Sequence, residues 1–387
     1  MFPTFAQNLY FPEMPIIIEI VFLILVLAYS ILIAAFYISW KKLKPFKTKP
    51  GNPEIFASIV IPARNEELNI SGLLDDLLCQ KYLKSKFEII IVNDHSEDNT
   101  LAIANNYKTR LDNLLIIDLA EGNNGKKAAL YSAIIKAKGE LIITLDADCR
   151  IGKNWLATIC GFYEDFKSRM IIAPLLYDNE KSWFEKMQSL EISSLVASTA
   201  GAAALGRPIM CNGANLAFTR ETYLQCESNL KAGIASGDDI FLMLEIKKHW
   251  PGSIKFIKSF DAACFTEAEP NIDKFIMQRK RWASKSKHYN DKDILFVAVV
   301  VFLANLAICL SFIAAFFNYH AILIFIILLC LKSIPDFLLL NSFSNYFSKR
   351  KLLNYFLLTQ LIYPFYLVFI AVYGNIGKFE WKKRIYK

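Results

Sequence analysis

The stretch IITLDADC, residues 142–149, carries four residues typical of a buried strand directly into two aspartates spaced two positions apart. An isolated Asp-x-Asp is a weak motif, because aspartate is also common in turns after strands, where its side chain accepts hydrogen bonds. The functional alternative is that Asp146 and Asp148 form half of a site for Mg²⁺ or Mn²⁺, which substrate phosphate oxygens would complete. The choice depends on what the rest of the chain brings to the same place.

Three further apolar runs precede this one, and each ends in polar residues. They are residues 56–62, 87–92 and 113–118, and stretches with helical spacing of apolar residues separate the runs, over 67–79, 99–108 and 126–137. Strands that alternate with helices predict parallel pairing and a doubly wound α/β sheet. Ligands bind such sheets at the carboxyl ends of the strands.

The polar segments that follow these strands should therefore meet at one edge of the sheet. Residues 62–67, 93–98 and 146–148 bring acids to that edge. Residues 121–126 form a glycine-rich turn that opens a helix, where backbone N–H groups and Lys126 could bind phosphate. A rim that combines acids, a glycine turn and a lysine favours a site for a nucleotide diphosphate and a metal.

An apolar block precedes this region. Residues 16–40 contain one charged residue, Glu19, and are long enough to cross a bilayer as one helix. Five lysines follow between residues 41 and 49, so the positive-inside rule predicts that residues 1–15 lie outside and that the following domain is cytoplasmic. A cleaved signal peptide is disfavoured, because no basic region precedes the block and no small-residue cleavage site follows it.

A second apolar block, residues 294–373, is predicted to form about three spans, at 294–317, 320–341 and 352–373. Three spans after one anchor would put the tail, residues 374–387, outside, whereas its five lysines and arginines favour the cytoplasm. The segment that contains Pro364 is a candidate for a re-entrant or interfacial helix. Residues 50–290, between the two blocks, have the composition of one globular domain.

Composition excludes several other classes of site. The chain has 387 residues, is 54% hydrophobic and carries a formal net charge of +8. Its eight cysteines are scattered without a C-x-x-C pair, so we expect reduced thiols and no zinc site. The positive charge lies mainly beside the apolar blocks and is not interleaved with aromatic residues in the globular part, so no nucleic-acid partner is expected.

Two more segments contain charged residues before the second apolar block. GDDIFLMLEI (237–246) opens a predicted helix with two acids, which could simply complement the helix dipole. QRKRW (278–282) lies on a basic helix, which could simply rest on a lipid surface. With IPARNEE (61–67), VNDHSEDNT (92–100), GKKAAL (125–130), LDADC (145–149) and CNGANLAFTR (211–220), they form an ordered series. The series resembles family 2 of the glycosyltransferases, the inverting GT-A enzymes, in the membrane-bound branch that carries a Q-x-x-R-W element.

The resemblance implies a GT-A domain, with a Rossmann-like and mostly parallel sheet, and a role for each matching residue. The residues implied in binding the nucleotide sugar are Pro62, Ala63, Glu66, Asp94, Lys126, Asp146, Gln278 and Arg281. Asp148, assisted by Asp146, would bind the divalent cation, Mn²⁺ or Mg²⁺. Asp239 would be the catalytic base with Asp238 as the first acid of the pair, and Trp282 would stack on the acceptor.

Two departures from the family pattern bear on these roles. Asn93 stands where the family usually has the first of two acids, which affects recognition of the base. Asp238 replaces the more common glutamate, which keeps the charge but shortens its reach.

The implied reaction is transfer of a hexosyl or N-acetylhexosaminyl group from a nucleotide-diphosphate sugar, with a UDP-sugar favoured. The acceptor would be a hydroxyl of a lipid or glycan at the cytoplasmic face of the cell (inner) membrane. A processive polysaccharide synthase is one alternative, although one helix before the domain and three after it are few for a pore. A non-catalytic nucleotide-binding membrane scaffold is another, and the presence of Asp238 and Asp239 disfavours it. Residues 184–205 could shape the acceptor entrance near the membrane or form a packed core helix.

Overall fold

The computed structural model describes residues 15–49, 53–230, 237–374, 379–381 and 384–386. The predicted N-terminal segment, residues 1–15, lies outside the described part except for its last residue. Much of the predicted tail, 374–387, also lies outside it, as do residues 231–236 before the acidic turn.

Twelve α-helices form in the described part of the chain. They are α1 (Ile16–Lys42), α2 (Ile70–Leu78), α3 (Thr100–Asn106), α4 (Gly125–Lys136), α5 (Trp155–Phe166), α6 (Trp183–Ala204), α7 (Arg220–Cys226), α8 (Asp238–His249), α9 (Ile272–Ser284), α10 (Lys292–Ala314), α11 (Tyr319–Tyr346) and α12 (Phe356–Tyr373). The strands in the same residues are β1 (Ala57–Ala63), β2 (Phe87–Asn93), β3 (Leu114–Asp118), β4 (Leu141–Leu145), β5 (Arg150–Ile151), β6 (Met170–Ile172), β7 (Leu175–Asp178), β8 (Asn215–Thr219), β9 (Ile254–Phe256), β10 (Cys264–Glu267), β11 (Phe379–Trp381) and β12 (Arg384–Tyr386).

The main sheet has the strand order β3-β2-β1-β4-β8-β6-β9 among the described residues. The first four strands in this order pair in parallel, as predicted. β8 runs antiparallel to both β4 and β6, which makes the sheet mixed. The predicted fold class, a mostly parallel α/β sheet with one apolar helix before it and three after it, is confirmed.

Both faces of this sheet are buried. Ile59, Ile89 and Ile143 belong to the core on one face. Val60 and Ile142, one residue away in the chain, belong to the core on the other face. A strand that is covered on both sides needs apolar residues at every position, which explains the uninterrupted apolar runs that the sequence shows.

The register of the strands brings the predicted polar segments to one edge. Ala63 at the end of β1 pairs with Asn93 at the end of β2. Val60 pairs with Thr144, so Asp146 follows β4 at about the level of Pro62, one residue before the end of β1. The segments after β1, β2 and β4 therefore leave the sheet side by side.

Four helices in the described residues are long and apolar enough to cross a membrane: α1, α10, α11 and residues 350–373, which contain α12. The charged residues within the apolar parts of these helices are paired. Glu19 at the start of α1 lies 3.2 Å from His320 at the start of α11. Lys332 and Asp336, which interrupt the middle predicted span, form a buried ion pair of 2.7 Å. Tyr29 donates to Asp336 at 2.7 Å, and Gln360 accepts from Lys332 at 2.8 Å, so the buried charges are hydrogen-bonded across three helices.

Helix α6 packs against the membrane helices α1 and α11. Gly201 permits a close approach, since a Cβ atom there would lie 2.6 Å from the carbonyl oxygen of Phe36. Residues 184–204 thus lie in a helix that packs against strands of the globular domain as well as the apolar helices, and these contacts do not decide between the two interpretations of residues 184–205.

Both ends of α12 contact the globular domain. Just before it, Lys349 forms ion pairs with Asp178 at 2.7 Å and Glu180 at 3.2 Å. Just after it, Gly374 lies so close to α9 that a Cβ atom would be 2.5 Å from the Cβ of Ala283. The short strand β11 also lies beside α9. Helix α12 therefore begins and ends on the same side of the molecule.

Candidate active site

A cavity of about 810 Å³ lies between the carboxyl ends of the strands and the apolar helices. Eight of the predicted site residues line it: Lys126, Asp146, Asp148, Asp238, Asp239, Gln278, Arg281 and Trp282. The other four, Pro62, Ala63, Glu66 and Asp94, are not part of this lining; they lie at or just after the carboxyl ends of β1 and β2.

Asp146 and Asp148 follow β4 and face different partners. Asp146 forms an ion pair with Lys126 at the start of α4. Asp148 accepts a hydrogen bond of 3.1 Å from the hydroxyl of Thr266 on β10. Desolvation inside the open cavity, then the negative charges of Asp146 and Glu66, raise the pKa of Asp148 to about 6. The local excess of negative charge is what a bound cation would relieve.

The donor set at this point fits a hard divalent cation. No cluster of three or more histidine, cysteine or acidic side chains at metal-binding distances occurs among the residues that the structure covers. Mg²⁺ commonly binds through one or two carboxylates and completes its coordination with substrate phosphates and water. Asp148 and Asp146 supply such a pair of carboxylates, which is consistent with a cation that binds together with a phosphorylated substrate.

The segment after β2 contacts the glycine-rich turn. Asp94 is 4% exposed, and its carboxylate accepts a hydrogen bond of 3.1 Å from the backbone N–H of Gly125. Asn93 donates its amide to the carboxylate of Asp118 at 2.8 Å. An aspartate at position 93 would face another carboxylate there, which gives a physical reason for the departure from the family pattern. Gly125 has a φ of +88°, a conformation that favours glycine.

The acid pair begins α8. Gly237 caps this helix with a φ of +103°, which again favours glycine. The carboxylate of Asp239 accepts hydrogen bonds of 2.9 Å from the backbone N–H groups of Gly213 and Ile240. These contacts fix the orientation of the Asp239 carboxylate.

Asp238 has a different electrostatic environment from its neighbour. Desolvation and the charge of Asp239 raise the pKa of Asp238 to about 6, against the opposing effect of Lys127 and Lys126. Its ionised form is therefore only moderately favoured near neutral pH.

Two basic side chains, Lys126 and Arg281, line the cavity. Desolvation lowers the pKa of Lys126, but the charge of Asp146 and the hydrogen bond to it outweigh this effect and raise the pKa above its ordinary value. Desolvation lowers the pKa of Arg281, but a guanidinium remains protonated at any pH a protein meets. Both side chains are thus positive where a diphosphate would lie.

Sequence reasoning missed four residues of this site. Gly213 lies in the segment CNGANLAFTR, to whose residues the family resemblance assigns no role. Lys285 and Glu269 line the cavity as well, and Thr266 both lines it and binds Asp148. Lys285 follows Trp282 by three residues, so helical periodicity could have indicated it. Nothing local marks Thr266.

The cavity continues away from the charged residues into an apolar groove. We call this part the acceptor groove, after the role proposed for it below; it is lined by α6 (Ile192, Leu195, Val196, Thr199), α10 (Val297, Ala298, Val301, Phe302) and α12 (Tyr363, Leu367, Ala371). Trp282 and Arg281 line the same cavity as the groove and the acids. One cavity therefore joins a charged site to apolar helices.

Comparison with known proteins gives the following matches. The model of Glycosyl transferase family 2 matches residues 58–227. A probable glycosyltransferase of Sulfolobus acidocaldarius is 31% identical over 240 residues, which are 59% of this chain and 49% of that protein. A dolichyl-phosphate beta-glucosyltransferase of Trichomonas vaginalis is 32% identical over 112 residues, which are 27% of this chain and 33% of that protein. The chain thus spans about half or less of the length of these curated relatives.

The fold has a counterpart among solved structures. The mannosyltransferase of Pyrobaculum calidifontis, solved with GDP-Man and Mn²⁺, superposes with a TM-score of 0.62 at 17% identity. The match covers 92% of this chain and 98% of that one, so it includes the apolar helices as well as the sheet. At this identity, the likeness shows a shared fold.

Proposed function

We propose that this chain, whose residues 58–227 belong to glycosyl transferase family 2, transfers a sugar from a nucleotide-diphosphate sugar to a hydroxyl of a lipid or lipid-linked acceptor. The observation that carries this proposal is the continuity of the charged site with the acceptor groove in one cavity. An apolar tail in the groove would deliver its polar end to Asp239. The dolichyl phosphate in the name of the Trichomonas vaginalis relative supports a lipid as the occupant of the groove.

The donor side is built to stabilise a leaving diphosphate. Breaking the bond between the anomeric carbon and the diphosphate oxygen develops negative charge on the leaving group. Lys126 and Arg281 line the cavity and would neutralise that charge. A divalent cation held by Asp148 and Asp146 would supply further positive charge there. The Mn²⁺ in the Pyrobaculum calidifontis structure supports a cation of this kind.

The acceptor side needs a base. Asp239 would take the proton of the acceptor hydroxyl as that oxygen attacks the anomeric carbon from the face opposite the diphosphate. The N–H group of Gly213 holds the carboxylate in place during this step. A single displacement of this kind inverts the configuration at the anomeric carbon.

The contacts of α12 support a cytoplasmic catalytic domain with the C-terminal tail on the same side. Three helices, α1, α10 and α11, would cross the membrane, and α12, a single helix of 18 residues, would lie along its cytoplasmic surface. This arrangement removes the conflict between the number of apolar segments and the lysines near the C-terminus, because both membrane flanks rich in lysine then face the cytoplasm.

The experiment that tests the proposal measures nucleotide release by the full chain in lipid vesicles, with a panel of UDP-, GDP- and other nucleotide sugars and with polyprenyl phosphate, diacylglycerol or no acceptor. We expect release that depends on one donor, on a lipid acceptor and on Mn²⁺ or Mg²⁺. Asp148→Asn should abolish the cation dependence and most of the activity. Binding of nucleotide sugar without turnover would instead support the scaffold alternative, and a long glycan product would support the processive synthase.

Two variants of α12 distinguish blockage of the groove from a general effect on helix packing in the membrane. Ala371 lines the acceptor groove, whereas the next residue, Val372, is 53% exposed on the outer surface of α12. Ala371→Trp should block lipid-dependent turnover and leave donor binding unchanged. Val372→Trp should leave both unchanged. Equal turnover in the two variants would contradict the assignment of the groove to the acceptor.

A further inference from the structure

Arg279 is a buried charged residue that the proposed mechanism does not use. It lies between Gln278 and Arg281 on α9, but it is 3% exposed and does not line the cavity. Burying an arginine costs free energy unless its charge is paired and its donors are used. Its contacts therefore indicate what the residue does.

The charge of Arg279 is paired with that of Glu191 on α6. The guanidinium of Arg279 lies 2.6 Å from Glu191, and a second donor, Nε, reaches the same carboxylate oxygen at 3.2 Å. The other oxygen of Glu191 accepts a hydrogen bond of 3.0 Å from Tyr366 on α12. This ion pair thus joins α9 to two of the three helices that form the acceptor groove.

The guanidinium also contacts three residues of α9, of which Trp282 and Gln278 line the cavity. It lies over the ring of Trp282 at 4.2 Å and over that of Phe275 at 4.4 Å. Its remaining terminal nitrogen donates to the side-chain oxygen of Gln278. One face of the Trp282 indole is thereby covered, so an acceptor has access only to the opposite face and the edges.

Gln278 links Arg279 to Glu269, another residue that lines the cavity. Its amide donates to the carboxylate of Glu269 at 3.0 Å. The backbone of Glu269 in turn exchanges two hydrogen bonds with Gln188 of α6, at 2.8 and 3.0 Å. Glu269, Gln278 and Trp282 all line the cavity, and each is connected to Arg279 directly or through one side chain.

We propose that Arg279 is a positioning residue, which holds Trp282 and Gln278 at the junction of the charged site and the acceptor groove by anchoring them to Glu191. This inference rests on the proposed function. A lysine could keep the ion pair but could not stack on two rings and donate to Gln278 at once, because only the guanidinium is planar with several donors in fixed directions. The geometry therefore requires arginine and not simply a positive charge.

The test compares Arg279→Lys with Lys280→Met in the full chain in vesicles. Lys280 is the matched control, since it is the neighbouring buried cation of α9 but stacks on Tyr373, at 4.5 Å, outside the cavity lining. Arg279→Lys should lower lipid-dependent turnover by about ten- to a hundred-fold, the effect expected from displacing groups that orient a substrate. Donor hydrolysis by water, measured at saturating donor and per folded molecule, should stay close to that of the unmodified chain. Lys280→Met should keep normal turnover.

A double variant covers the case in which the ion pair itself is needed for folding. Arg279→Met/Glu191→Gln removes both charges and so leaves neither one buried without its partner. It should insert normally and show the same selective loss of transfer. Loss of transfer, hydrolysis and donor affinity in proportion to folded protein would overturn the positioning role, as would normal transfer by Arg279→Lys. Failure of the unmodified chain to turn over any donor would instead contradict the proposed function.

Discussion

Asp239, at the start of α8, accepts hydrogen bonds from the backbone N–H groups of Gly213 and Ile240. These bonds orient its carboxylate. Asparagine at this position would keep one oxygen for the Gly213 N–H but could not accept the acceptor's proton. Asp239→Asn should therefore lower turnover by a factor of ~10²–10⁴, the usual contribution of a general base, while calorimetry shows unchanged donor affinity.

The control for this variant is Glu245→Gln on the same helix, which removes a carboxylate that does not line the cavity. It should behave like the unmodified chain. If Asp239→Asn loses donor affinity and turnover in equal measure, the residue organises the donor pocket, and Asp238 becomes the better candidate for the base.

Asp238 should lower the stability of the fold in a pH-dependent way. Its pKa in the folded chain is about 6, above the ordinary value of 3.8, so the folded state holds this proton more tightly than the unfolded state does. The destabilisation is absent below pH 4, develops as pH rises toward 6 and is complete above that. Asp238→Asn should therefore raise Tm by a few degrees at pH 7.5 and by progressively less as the pH falls toward 4.

Thermal unfolding of the detergent-solubilised chain across this pH range checks the sign. A constant difference in Tm between the variant and the unmodified chain would show that ionisation of Asp238 is not responsible. A lower Tm in the variant at pH 7.5 would show that the carboxylate stabilises the fold.

At the scale of elements, the position of α6 depends on the absence of a side chain at Gly201. Alanine usually stabilises a helix interior relative to glycine, by up to about 1 kcal/mol. A methyl group at this position would meet the backbone of Phe36 at 2.6–2.7 Å, so α6 would have to move away from α1. Gly201→Ala should therefore lower Tm and weaken lipid-dependent turnover, because α6 forms one wall of the acceptor groove.

Ala204 at the end of α6 is exposed and provides the matched site for this test. Ala204→Ser should change neither Tm nor turnover. A rise in Tm for Gly201→Ala would mean that helix propensity outweighs the contact and that α6 is not held tightly against α1.

At the scale of the whole molecule, the path of α12 decides on which side the chain ends. A reporter that is active only in the cytoplasm should be active when fused after Lys387 and inactive when fused after Asn318, at the opposite end of α10 and α11. The physical reason is that the segment containing α12 begins with Lys349 beside Asp178 and ends with Gly374 beside Ala283, both in the globular domain. An inactive reporter after Lys387 would show that α12 crosses the membrane.

The sequence by itself determined the four parallel strands of the sheet, the apolar helices and the charged residues at the ends of those strands. Each depends on local information: continuous apolar runs predict strands buried on both faces, apolar stretches of about 20 residues predict membrane helices, and residues at strand ends share an edge in any parallel sheet. This is why Lys126, Asp146 and Asp148 could be expected together, although 20 residues separate the first two.

Only the tertiary structure decided how the elements enclose the acceptor groove. Gly213 holds Asp239 from 26 positions away, Arg279 pairs with Glu191 across 88, and Tyr366 reaches the same glutamate across 175. The contact of the end of α12 with α9 and the antiparallel pairing of β8 with β4 also depend on residues that are far apart in the chain. Hydrophobic periodicity specifies which face of an element is buried but not which distant element covers it, because that choice depends on the shape and charge that the folded partners present to one another.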